Sequence, residues 1–342
     1  MKLISFTVPC YNSEKYMKKC IDSLLVGGDD VEIIIIDDGS FDNTLMIANE
    51  YVKKYPNICR ACHKENGGHG SGVNMGIEMA TGLYFKVVDS DDYLQKEALL
   101  ELIRTIRTHI TNNEEADLYI TNFIYDRQSD NSQYVSEYSN NFPVRSFFGW
   151  RDTKPLKLWK MLLMHSLLYK TEKLRESNTI LPNHTFYVDN IYAYKPLPYM
   201  KKIFYLDVNL YMYYIGRADQ SVVIGNMVKR YDQQIRVMNI MLSAYTYKEI
   251  CNMDKKLKKQ MLHILYAIMN NTIFFTTAKN SKERKELYYN MWNDLKKRDK
   301  RLYNYLKYHT SISIFNVISW RLKGFISTIG YKFLCKHIKL GM

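Results

Sequence analysis

The stretch Tyr84–Leu94, YFKVVDSDDYL, passes from an apolar run directly into Asp89, Asp91 and Asp92, three aspartates within four positions. Clustered carboxylates repel one another, and removing them from water is costly unless a cation or hydrogen-bond donors compensate. A strand that ends in such a cluster predicts a divalent-metal site at its carboxyl end. The competing reading is an acidic turn that caps the following helix.

Comparable strand ends lie on the N-terminal side. Leu3–Val8 reads as a short buried strand that leads into Pro9-Cys10-Tyr11-Asn12. Val31–Ile36 is β-branched except for Glu32, the mark of a parallel strand buried on both faces, and it runs into Asp37-Asp38-Gly39-Ser40. Helices are expected over about 14–26, capped by Ser13, and from Asp42 or Asn43 to about Tyr55. A third strand is expected over Asn57–His63, then a helix from about Ser71 to Ala80. The strand Leu83–Val88, a helix over Lys96–His109 and a fifth strand over Asp117–Tyr125 complete the alternation. Strands and helices in this order imply a doubly wound α/β layer, in which ligands bind beyond the carboxyl ends of the strands. Three polar strand ends on one edge describe a site.

The glycine-rich loop Gly67–Gly72 narrows the ligand class. Its two outer glycines have P-loop spacing, but Val73-Asn74 stands where Lys-Ser/Thr is required, which excludes Walker chemistry. A dinucleotide fingerprint would place glycines after the first strand, where Pro9 and Tyr11 stand instead. The loop reads either as a tight turn with close helix packing or also as a ligand contact, with His69 as its titratable side chain.

The remaining bounds are those of a folded protein: 342 residues, 46% apolar and 24% charged, without repeats or low-complexity tracts. The N-terminal run up to Pro9 is too short for a signal-peptide core, and no stretch is long and apolar enough for a spanning helix. The six scattered cysteines read as reduced thiols. Cys59-Arg60-Ala61-Cys62-His63 has the spelling of a c-type haem attachment site, but within an expected strand it reads as coincidence.

Charge is unevenly spread. Residues 225–342 hold 23 Lys/Arg against 7 Asp/Glu, whereas residues 1–224 hold 25 against 28. The C-terminal third reads as helices over about 226–249, 254–277, 281–298 and within 312–338. In the last, Phe315, Ile318, Leu322, Phe325, Ile326, Ile329 and Phe333 recur at helical spacing beside Trp320, with Arg321, Lys323, Lys332, Lys336 and Lys339 around them, and no acidic residue follows Asp299. An amphipathic basic helix of this kind suits an anionic membrane surface, where each cation contributes about 1 kcal/mol; the alternative is a helix packed on the core. Nucleic acid is not expected, since no basic stripe is interleaved with aromatics. Trp150 and Trp159, among several tyrosines, could build either an acceptor pocket or core.

The ordered set VPCYN (8–12), IIIIDDGSFDNT (33–44), the glycine loop with Asn74-Met75-Gly76, and ATGLYFKVVDSDD (80–92) resembles the family 2 inverting glycosyltransferases with the GT-A fold, of the bacterial cell-envelope or capsule type. The strong match covers roughly residues 3–95 and a looser one continues to about 223. The resemblance implies a GT-A-like doubly wound mixed sheet flanked by helices over 1–224, with a donor half of about 1–115 and an acceptor half of about 116–224. A helical basic region over 225–342 follows.

The resemblance also implies roles. Tyr11, beside Pro9, would stack on the donor base, and Asp37 and Asp38 would contact the base or ribose. Asp89 and Asp91 would form a DxD pair holding Mg²⁺ or Mn²⁺, with Asp91 the direct ligand and Asp92 a contributor to the next turn. Val73 stands where many members carry an arginine, so the diphosphate contact would fall to Lys86, His69 or Arg217. The general base would be Asp189 within His184–Asn190, unless it only caps a helix. Tyr211–Tyr214, with Gly216-Arg217 and Gln220-Ser221-Val222, resembles a flexible loop that closes over the donor. The implied activity is metal-dependent, inverting transfer of a sugar from a nucleotide donor, expected to be a UDP-sugar, to a glycan or lipid-linked hydroxyl acceptor. The expected location is cytoplasmic, peripheral on the inner face of the cell membrane. A metal-dependent nucleotidyltransferase and a non-catalytic membrane- or phosphate-binding protein are the rival readings.

Overall fold

A mixed sheet is built around the β-branched run. The computed structural model describes residues 2–127, 131–157, 160–216 and 223–338, with backbone alone for 331 and 333–338. The chain divides into two compact units, Met1–Lys154 with Leu162–Ile215, and Pro155–Met161 with Gly216–Met342.

In the first unit the elements follow as β1 (Ile4–Cys10), α1 (Met17–Leu25), β2 (Val31–Asp37), α2 (Thr44–Lys54), β3 (Cys59–His63), α3 (His69–Met79), β4 (Tyr84–Val87), β5 (Tyr93–Leu94) and α4 (Lys96–Thr111). Then come β6 (Leu118–Arg127), β7 (Ser132–Ser136), β8 (Phe147–Phe148), β9 (Leu167–Lys170), α5 (Thr171–Glu176), α6 (Asp189–Tyr194) and β10 (Ile203–Ile215). The sheet order is β3-β2-β1-β4-β9-β6-β10-β5, with β7 on β6 and β8 on β10. Strands β1 to β4 pair in parallel, and β9 runs antiparallel to both β4 and β6, joining this parallel half to the β6–β10 pair.

All seven residues of β2 are buried. Burying each isoleucine fully contributes roughly 1.5–3 kcal/mol. Glu32 is tolerated in their midst because its carboxylate accepts from the Ser5 hydroxyl, the Thr81 amide and hydroxyl, and the Gly82 amide. Burial opposes its charge, but these donors prevail and hold it below its ordinary range.

Register positions the site. Cys10 lies opposite Asp37 and Thr7 opposite Val87, so the carboxyl ends of β1, β2 and β4 reach one edge. Helix α3 crosses β1 closely, because Gly76 presents no side chain to Thr7. A Cβ at Gly76 would collide with the Thr7 side chain. Gly76→Ala is expected to destabilise the protein by roughly 1–3 kcal/mol through overpacking, read as a lower urea midpoint with an unchanged slope.

Several local expectations are corrected. Helix α1 starts at Met17 without a side-chain cap, and the Ser13 hydroxyl instead meets that of Ser90 at 2.8 Å. Helix α3 starts at His69, two residues before the expected start. Tyr211–Tyr214 belong to β10, where both neighbouring strands supply backbone partners, and are not a loop. Trp150 is buried with its indole N–H donating to the Met200 carbonyl at 2.8 Å, so it serves the core. Trp159 lies outside the described residues.

The second unit is helical: α7 (Ile224–Lys229), α8 (Tyr231–Ala244), α9 (Tyr247–Asn252), α10 (Lys255–Thr277), α11 (Lys282–Arg298), α12 (Lys300–Tyr308) and α13 (Trp320–Ile338). The expected helix 226–249 is broken at Arg230 and again before Tyr247. Helix α10 forms the centre, with Met261, Leu265, Ile268 and Ile273 fully enclosed. Buried Arg284 donates to the carbonyls of Phe275 and Val228 and lies 3.7 Å over the Tyr231 ring. Among the described residues no helix is long and apolar enough to cross a membrane.

Candidate functional site

At the end of β2, Asp37 and Asp38 point into hydrogen-bond networks. Asp37 accepts from the Ser40 amide at 3.3 Å and meets His63 Nδ1 at 2.6 Å. Asp38 accepts from Lys64 Nζ at 2.6 Å, from the amides of Gly67 and Gly68 at 2.9 and 2.7 Å, and from the Ser71 hydroxyl at 3.3 Å. Both carboxylates are buried. The structure therefore places Asp38 as the anchor of the glycine loop, with its oxygens engaged by the protein, and brings His63 and Lys64 to this edge.

Pro9 is buried under α3, where a Cβ at Gly72 would come 3.1 Å from Pro9 Cβ. Tyr11, in contrast, stands 48% exposed at the same edge.

At the end of β4 lies a linked set of charges. His69, the first residue of α3, holds Asp89 Oδ1 through Nε2 at 2.8 Å. Burial works against the charge on Asp89, but the His69 charge and hydrogen bond hold its pKa below the usual range. The converse holds for His69: burial disfavours its cation, yet Asp89, then Asp189 and Asp91, raise its pKa. Asp189, at the start of α6, is pushed up to about 6 by burial, partly relieved by His69 and reinforced by Asp89. Two carboxylates beside one imidazole thus carry opposite shifts, a pattern that separates a permanently charged group from a proton acceptor near neutrality.

Asp92 differs from the expectation of a turn residue. Its amide closes the turn on the Asp89 carbonyl at 2.9 Å, but its side chain is 1% exposed. The carboxylate accepts from the Tyr211 hydroxyl at 2.5 Å and from the Tyr214 amide at 2.8 Å, which ties the acidic cluster to β10. Asp91 is half-buried between them.

Residue His165 carries no sequence signal beyond its type. Its ring packs on Tyr211 and Tyr213, with centroids 4.7 and 4.3 Å away, and its Nδ1 has no hydrogen-bond partner among the described residues. Burial lowers its pKa to about 4, so it is a neutral imidazole with a lone pair to offer. One ligand atom each from Asp89, Asp92 and His165 lies within 4.8 Å of the others. Two carboxylates and a neutral imidazole suit a divalent cation such as Mn²⁺ or Mg²⁺. Lys86, an expected diphosphate contact, is instead fully buried and donates to the carbonyls of His165 and Leu167 at 2.7 and 3.2 Å. That burial lowers its pKa to about 7.

The glycine loop and the segment before Asp189 are packed against each other. Gly68 has φ +82°, and a Cβ there would lie 3.1 Å from the His184 amide nitrogen; at Gly70 it would lie 2.9 Å from the Pro182 carbonyl oxygen. The His184 amide donates to the Gly67 carbonyl at 2.6 Å. Asn74 grips the Leu181 backbone twice, donating to its carbonyl at 2.8 Å and accepting from its amide at 2.9 Å. Close packing is thus what these glycines provide, and Asn74 has the role its place in the motif only hinted at. Arg217 and Gln220-Ser221-Val222 lie outside the described residues.

Residues 5–169 match the protein family described as Glycosyl transferase family 2. The chain is similar to glycosyltransferase GlyG of Streptococcus pneumoniae, 34% identical over 42% of this chain and 46% of that protein. It is also similar to the poly(ribitol-phosphate) beta-glucosyltransferase of Bacillus spizizenii, 46% identical over 28% of this chain and 16% of that protein. The matched part thus spans less than half the length of these two curated relatives. Its fold resembles S. aureus TarS 1-349, solved in complex with UDP-GlcNAc, with a TM-score of 0.64 at 22% identity over 90% of this chain and 84% of that one.

Proposed function

We propose that this chain is a family 2 glycosyltransferase of the GT-A type and that it moves a sugar from a nucleotide-diphosphate donor, a UDP-sugar, to a hydroxyl acceptor with inversion. The observation that carries this reading is the set at the end of β4, in which Asp89 is held charged by its hydrogen bond to His69 while Asp189, which feels the same imidazole electrostatically, is raised to about 6. In the proposed reaction the acceptor oxygen attacks the anomeric carbon from the face opposite the leaving group. The carbon–oxygen bond to the diphosphate breaks, and Asp189 takes the acceptor proton. The nucleoside diphosphate leaves with the bonding electron pair.

A divalent cation bound by Asp89 and Asp91, with Asp92 and His165 adjoining, would supply charge neutralisation for that leaving group. Tyr11 offers its exposed ring to the donor base. Asp37 and Asp38 shape the edge on which the nucleoside rests, Asp38 by holding the loop that starts α3. His69 and Arg217 are the candidates for the diphosphate contact. The donor proposal draws support from TarS, solved with UDP-GlcNAc. A phosphate-bearing or lipid-linked cell-envelope polymer as acceptor draws support from the poly(ribitol-phosphate) relative. The same reading places the enzyme at an anionic membrane surface through its basic C-terminal region.

Incubation with a panel of UDP-, GDP- and dTDP-sugars plus Mn²⁺ tests the reaction class. Release of the nucleoside diphosphate from one donor, with a product of inverted anomeric configuration by NMR, is expected. Release of pyrophosphate, or retained configuration, would refute it.

A further inference from the structure

Among the described residues of helix α13, Leu322, Phe325 and Ile329 stand exposed. The face the helix turns toward α10 consists of small and polar residues: Lys323, Gly324 and Ser327 are buried. A Cβ at Gly324 would run into the Thr277 carbonyl, and the Ser327 and Thr277 hydroxyls share a hydrogen bond at 2.9 Å. Lys323 is accommodated by aromatic faces, its nitrogen 5.5 Å from the Tyr288 ring centre. Leu322, Phe325 and Ile329 occupy the other side, 43%, 63% and 52% exposed, at a spacing that aligns them along one stripe. Ahead of the helix Ile314 and Val317 add exposures of 51% and 85%, while Phe315 and Trp320 turn inward. A helix packed only for folding has the reverse arrangement, and a contiguous exposed apolar patch marks a binding surface.

Charge selects the occupant. Arg321 and Lys332 are exposed one turn before and two turns after Phe325 on the same side, and no acidic residue follows Asp299. A second copy of this face would set cation against cation. An anionic lipid leaflet supplies both an apolar layer and opposite charge at its surface. We propose that α13, with Ile314 and Val317, lies in the headgroup plane of an anionic bilayer, sinking Leu322, Phe325 and Ile329 while Arg321 and Lys332 meet lipid phosphates. The biological purpose rests on the proposed transfer to an envelope acceptor; the lipid-binding geometry does not.

Co-sedimentation of the full chain with phosphatidylcholine vesicles, with and without phosphatidylglycerol, tests it. Wild-type protein is expected to bind the anionic vesicles. Phe325→Asp combined with Ile329→Asp should lower the partition coefficient roughly a hundredfold, whereas Phe325→Leu should retain binding. Arg321→Glu combined with Lys332→Glu should abolish the preference for phosphatidylglycerol. All these side chains are exposed, so an unchanged melting temperature excludes unfolding as the cause. Equal sedimentation of wild type and the double aspartate variant would overturn the proposal. So would a dimer in solution that this variant dissociates while wild type ignores vesicles. Donor hydrolysis in solution is read separately: vesicle binding without hydrolysis upholds this surface and removes the proposed reaction.

Discussion

Replacing Asp189 by Asn is expected to lower kcat by about 10²–10⁴-fold, the usual contribution of a positioned general base. The asparagine is isosteric but does not take up a proton. KM for the donor should change little, since the acceptor hydroxyl is the group Asp189 would serve. The pH profile is the sharper readout. A base works only in its deprotonated form, and burial sets this carboxyl at about 6. Activity should therefore rise as pH increases through about 6 and level off above it, and the variant should lose that limb. Stability should move the opposite way. A folded-state pKa raised above the ordinary 3.8 means that folding favours the protonated form, so stability falls as pH rises from about 4 through 6. Asp189→Asn should thus melt higher than wild type at neutral pH. A residue that merely capped α6 would give the contrary result, a lower melting temperature with little loss of rate.

The second large effect concerns the acidic cluster. Asp91→Ala, Asp89→Ala and chelation by EDTA should each reduce transfer on the order of 10³-fold, with Mn²⁺ restoring the chelated wild type only. Separate readouts distinguish the two aspartates. Removing Asp89 takes away the strongest influence that raises the His69 pKa against burial, so an NMR titration should find that imidazole titrating lower. Asp91→Ala should leave the His69–Asp89 pair in place and abolish the Mn²⁺-dependent thermal shift. Asp92→Ala should behave differently again. It strips the acceptor from the Tyr211 hydroxyl and the Tyr214 amide as well as a ligand atom from the Asp89–Asp92–His165 group, so it should lower the melting temperature in addition to weakening the Mn²⁺-dependent thermal shift. Full activity in EDTA and in Asp91→Ala would dismiss the metal reading.

The edge formed by β1, β2 and β4 is legible in the sequence because each strand is a β-branched or apolar run that stops at polar residues. Burial on both faces needs no alternation, so the run Val31–Ile36 signals its own position. The later part of the sheet, β8 and β9, is not legible, for a geometric reason. Strands β8 and β9 have two and four residues, too short for any period to show, and their partners lie far away in sequence. The aromatic segment Tyr211–Tyr214 resembles a mobile loop by motif, yet Tyr211 and Tyr213, two residues apart on one face of the strand, both pack on the His165 ring. His165 itself is a lone histidine in an apolar stretch, and only the pairing of β9 with β4 and β6 brings it near Asp89. Asn74 was visible as part of a motif, but its partner, the Leu181 backbone, could not be read from any spacing.

The clasp between the glycine loop and residues 181–184 bears on how such enzymes can diversify. The backbone that carries Asp189 is fastened to the backbone that begins with Asp38 by Asn74 and by glycines too small to be replaced. These two ribbons are therefore fixed against each other in the fold. A hybrid that exchanges residues 66–76 between relatives without 181–189 would shift Asp189, the proposed proton acceptor, against the start of α3, whatever else it conserved. Exchanges confined to the exposed strand β7 leave that alignment alone. The position of Asp189 against the start of α3 is accordingly a property of the clasp and not of the periphery.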